Sequence, residues 1–70
     1  MIEVFKTSVK EITESKQLLK VLKRKFPNAK INFDLEDCDN ILRIESPREI
    51  NVQIVNSTLK QFGHHLEILK

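Results

Sequence analysis

Seventy residues, 40% of them apolar and 31% charged, make one ordinary globular domain. At that length only about 60% of the unfolded chain's surface can be buried, so the core must be economical. A formal charge of +2, from 12 basic and 10 acidic residues mixed along the chain, is too small and too scattered for a nucleic-acid or anionic-membrane partner. No apolar run approaches the ~20 residues a bilayer span needs, and no leader-like segment opens the chain, so a cytoplasmic domain without membrane insertion is expected. The single cysteine, Cys38, cannot form an intrachain disulfide.

The chain begins with a strand-like alternation over Ile2 to Val9, with Phe5, Thr7 and Val9 on one face and Ile2, Val4 and Lys6 on the other. The rhythm changes at VKEITES, residues 9–15. Beyond it Leu18, Leu19, Leu22 and Phe26 recur at helical spacing, while Lys20, Lys23 and Arg24 point outward. The basic cluster of Lys20, Lys23, Arg24 and Lys25 falls late in this helix, where cations complement the dipole. Pro27 closes the helix, because the residue before a proline is pushed out of the helical region. Residues 30–36 alternate again and turn Ile31, Phe33 and Leu35 inward. The polar cluster at 37–40 makes a tight connection to the strand at 41–45, with Leu42 and Ile44 inward.

Two starts compete for the second helix. Ser46-Pro-Arg-Glu49 has the form of a capping box with proline at the first helical position. Alternatively Asn51 is the N-cap and Ile50 packs on Val55 as a hydrophobic staple. The second is preferred, because it accounts for Ile50. The helix ends at Gly63, the one residue free to adopt a left-handed conformation without cost, and HHLEIL forms a last short strand. The order βαββαβ predicts an α+β domain of ferredoxin-like type: an antiparallel four-stranded sheet, two helices on one face and the other face bare.

Many activities use this topology, so the fold alone decides none of them. Base-stacking RNA modules need aromatics on the outer face of the central strands, where this chain has Ile2, Val4, Lys6, Ile41 and Arg43. An acylphosphatase needs a glycine-rich anion cradle after the first strand, and VKEITES contains no glycine. No Ser/His/Asp or Cys/His arrangement is legible in the spacing, and a chain this short offers little room for a pocket, so no enzyme is expected.

The segments FKTSVK at 5–10, DLEDCDNILRIE at 34–45 and QFGHHLEIL at 61–69 together resemble the heavy-metal-associated domain family. Its members are small copper chaperones and the soluble metal-binding domains of metal-transporting ATPases. In that family a C-x-x-C loop opens the first helix and binds Cu(I) or Zn(II) through thiolates. The resemblance places Glu11 and Glu14 at the two cysteine positions, and residues 7–17 contain no cysteine. It therefore implies a degenerate metal loop in a small non-enzymatic module that makes protein contacts related to metal transport, for example with a metal-transporting ATPase. No cofactor is expected on this reading.

The alternative is a metal binder with non-thiol ligands. Carboxylates suit harder cations, and the resemblance puts His64 in the loop facing Glu11 and Glu14, a set suited to zinc or another divalent cation. The plainer account of the two acids is that carboxylates gather at a helix N-terminus. His65 should point to the opposite side of the last strand from His64, so the two do not chelate as a pair. Cys38, flanked by Asp37 and Asp39, is expected to be an unreactive thiol. On the bare sheet face Ile2, Val4 and Ile41 should cluster beside Leu69, rimmed by Lys6, Arg43 and Glu67, which is the make-up of a homodimer or docking surface.

Overall fold

Alternating apolar residues produce strands here only where a second strand is available to satisfy the backbone, and each of the four expected strands finds one. A computed structural model describes residues 1–36 and 39–69. They form β1 (Ile2–Thr7), α1 (Ile12–Lys25), β2 (Lys30–Asp34), β3 (Ile41–Glu45), α2 (Val52–Gln61) and β4 (Leu66–Ile68). The strands make one antiparallel sheet in the order β2-β3-β1-β4. This is the ferredoxin-like βαββαβ arrangement. Asp37 and Cys38 lie outside the described residues, and so does the reactivity expected for that thiol.

The register assigns the two faces of the sheet. Phe5 stands opposite Leu42, which stands opposite Phe33, and Ile31 stands opposite Ile44. Phe5, Leu42, Ile44 and Ile31 join Leu18 and Leu22 of α1 and Val55 and Leu59 of α2 in one core cluster, so both helices cover this face. Most of these side chains are fully buried. Val9 belongs to the same core although β1 ends at Thr7. Thr7 holds the chain there: its Oγ1 accepts from the Val9 N–H at 3.2 Å and donates to the Asn40 carbonyl at 2.7 Å.

Local chemistry sets the element ends. Asn51 caps α2 by accepting from the N–H groups of Gln53 and Ile54, the preferred of the two starts. Ile50 packs half-buried against the cluster that contains Val55. Ser46 instead makes a local turn, accepting from the Arg48 N–H at 3.2 Å. β2 ends two residues earlier than the alternation suggested, because Asp34 Oδ1 accepts from the Glu36 N–H at 3.2 Å and turns the chain. The basic end of α1 does more than complement a dipole. Lys25 Nζ donates to Thr58 Oγ1 at 2.8 Å and ties α1 to the buried side of α2.

One expectation for the bare face needs correction. Ile41 does lie on that face, outside the core cluster, yet it is only 8% exposed. Its cross-strand neighbour is Lys6, whose ammonium lies 3.5 Å from Asp39 Oδ1. That pair joins β1 to the chain two residues before Ile41, at the same end of the open face. Ile2, at 60% exposure, and Leu69 remain exposed, and Val4 is half-buried.

Candidate functional site

The site sits at the end of the domain where β1 leads into α1 and α2 leads into β4. Gly63 takes φ 78 just past α2. Its N–H donates to the Lys60 carbonyl and the His64 N–H to the Leu59 carbonyl, the paired bonds of a Schellman cap. That cap fixes the backbone from which His64 projects. Residue 65 then pairs with Ser8: the Ser8 N–H donates to the His65 carbonyl at 3.2 Å, and Ser8 Oγ accepts from the His65 N–H at 3.1 Å. The pairing continues the β1–β4 register, but the His65 N–H goes to the Ser8 side chain, and β4 begins at Leu66.

The His64 ring lies between the two loops. Its side chain is 13% exposed; Nδ1 lies 3.1 Å from Ser8 Oγ, and Nε2 contacts Glu14 Oε2. An ionised carboxylate only accepts, so Nε2 carries the proton in that contact. With the ring neutral, Nδ1 accepts the Ser8 hydroxyl proton. With the ring charged, Nδ1–H donates to a Ser8 lone pair. Either way both ring nitrogens of His64 have a partner. Glu14 also lies in the first turn of α1, where the helix dipole favours an anion.

Glu14 and His64 are thus brought together as expected. Glu11 is placed differently. It is the extended N-cap of α1, exposed, with no capping bond from its side chain, while its carbonyl accepts from the Ser15 N–H at 3.0 Å. It lines the same shallow open cavity as Glu14 and His64, and Lys10 lines that cavity too. Among the described residues, no group of three or more His, Cys, Asp or Glu side chains could hold a metal ion. His65 is exposed, and its bonds to Ser8 run through its backbone N–H and carbonyl.

Ser8 is the participant that sequence reasoning missed. A serine after a strand carries no spacing signal toward a residue 56 positions later. Ser8, His64 and Glu14 have the composition of a proton relay. The serine oxygen, however, is engaged by both the ring of His64 and the backbone of His65, the segment that supplies the histidine. Chemically that is a clasp between two loops.

Fold and site together define a class: a ferredoxin-like α+β domain whose β1–α1 and α2–β4 loops are joined by a histidine–carboxylate clasp. No protein-family model matches the chain, and no curated protein or solved structure does so either. Among the described residues no helix is long and apolar enough to cross a membrane.

Proposed function

We propose that this chain is a small non-enzymatic interaction module, similar in layout to the heavy-metal-associated domains, that works in the cytoplasm through protein contacts related to metal transport. One observation carries the reading: His64 is held between Ser8 and Glu14 where the resemblance would put a metal loop and the loop facing it. A hydrogen-bonded clasp supplies the cross-link between the loops that a bound ion would otherwise supply. Lys10 on the wall of the same cavity adds a positive charge, which disfavours a cation there.

The second reading, a zinc or other divalent-cation site built from Glu11, Glu14 and His64, has its own support. A carboxylate and an imidazole already converge, and Glu11 lines the same cavity. Binding by this set would require Nε2 to exchange Glu14 for the metal and Glu11 to swing inward.

Titration with Zn(II) and with Cu(I), followed by amide NMR shifts, separates the two. The first reading expects no stoichiometric change at residues 8–16 and 62–65. Saturable one-to-one shifts confined to those segments would establish the metal site instead. The partnership with metal transport is tested by adding the soluble metal-binding domain of a metal-transporting ATPase. Shifts on one contiguous surface are expected, and an unchanged spectrum at millimolar partner would remove that partnership.

A further inference from the structure

β2 is an edge strand, and among the described residues it pairs only with β3. Its sequence is Lys30-Ile-Asn-Phe-Asp34, with Lys30, Asn32 and Asp34 exposed, Phe33 half-buried and Ile31 buried. This pattern is its own complement. Two copies run antiparallel about Asn32 place Lys30 opposite Asp34 of the second copy, and Asp34 opposite its Lys30. On the helix-covered face the same register sets Ile31 against Phe33. Lys30 already faces Glu45 across the β3 ladder, so in such a pairing it would stand between two acids, as a residue of a central strand.

Nearby apolar surface favours the same edge. An open groove between α1 and β2 is lined by Ile12, Leu19, Phe33 and Leu35, and Ile12 is 66% exposed, the highest value among the exposed large apolar residues. The other edge behaves oppositely. β4 has three residues, Leu66–Ile68, and self-pairing about Glu67 would oppose like charges directly, which destabilises a ladder. A lysine on an edge strand normally discourages strand addition. Here Asp34, four residues on, converts that lysine into half of a matched pair.

We propose that β2 is a self-association edge, joining two copies of this chain through an antiparallel β2–β2 ladder into one continuous sheet with two-fold symmetry. The surface is separate from the loop clasp, and the proposal stands whichever reading of that clasp holds.

Sedimentation equilibrium from micromolar to millimolar protein tests it, with each variant's fold checked by its amide spectrum. The wild type should show a reversible monomer–dimer equilibrium. Lys30→Asp or Asp34→Lys alone turns two symmetric attractions into two repulsions and should weaken the dimer about tenfold or more. The double exchange, Lys30→Asp with Asp34→Lys, should recover association close to wild type. If Lys30→Asp loses its fold through repulsion from Glu45, Asp34→Asn serves in its place and should weaken association without reversing it. A strictly monomeric wild type at millimolar concentration overturns the proposal. So does a dimer that survives both single reversals and is dissociated by Ile2→Glu, which would assign the contact to the open sheet face.

Discussion

His64 Nε2 meets Glu14 Oε2 across 50 residues of sequence, one group set by the C-cap of α2 and the other by the first turn of α1. Ser8 completes the junction on the other ring nitrogen. The three side chains tie together the two loops that close one end of the domain, and their removal should cost stability in a graded way.

Replacing His64 with alanine leaves the Ser8 hydroxyl and the Glu14 carboxylate without their shared partner. A loss of about 1–3 kcal/mol is expected, since a half-buried hydrogen-bonded group is removed and its partners must find water. Glu14→Gln keeps an acceptor at a position 40% exposed, so its effect should stay below about 1 kcal/mol. Urea midpoints of the two variants measure both. Equal losses would contradict a clasp centred on the imidazole.

Gly63→Ala isolates a backbone effect. A Cβ added there meets nothing within 4 Å, so the expected cost comes from holding an L-residue at φ 78 alone. That cost is about 1–2 kcal/mol. Thermal unfolding should show it as a fall of roughly 4–16 °C for a domain of this size. Gly63→Asn should lose less, because asparagine tolerates the left-handed region. An unchanged midpoint for the alanine variant would mean the cap does not adopt this conformation.

Asn51→Ala and Ser46→Ala distinguish the two possible starts of α2. Asn51 accepts two N–H bonds of the first turn, and its loss should cost about 1 kcal/mol. The Ser46 hydroxyl accepts from Arg48 in a local turn outside the helix, so its replacement should stay within about 0.5 kcal/mol. Denaturant unfolding of both variants checks the order, and a larger loss at Ser46 would return the helix start to the capping box.

Leu22→Ala should cost about 2–5 kcal/mol, because the leucine is fully buried and the domain has little other core to collapse into the space. In a chain this small that is a large share of total stability, and the variant should be partly unfolded at 25 °C by circular dichroism. Ile2→Ala, on the open face at 60% exposure, should stay within about 0.5 kcal/mol.

Much of the fold was legible from local pattern. The alternation at Phe5 and Thr7, and the helical spacing of Leu18 and Leu22, decide which face each element buries. That decision depends only on the period of the backbone. Asn51 and Gly63 announced their roles because a cap needs a short side-chain acceptor and a left-handed turn needs a residue without Cβ. The candidate site was legible in part. The convergence of Glu14 and His64 followed from the resemblance, whereas the exposed placement of Glu11 and the part taken by Ser8 did not.

By itself, then, the sequence determined the elements, their order, most of their ends and the buried face of each. Those are properties of a few neighbouring residues and the dihedral angles they favour. Only the tertiary structure decided which distant side chains meet. The order β2-β3-β1-β4 brings Ser8 beside His65 and sets Lys6 opposite Ile41, and on the open face it buries Ile41 while Ile2 stays exposed. It also leaves Lys30 and Asp34 along a free edge. No local periodicity encodes these relationships, because each depends on how separate segments are placed against one another by the single core they share.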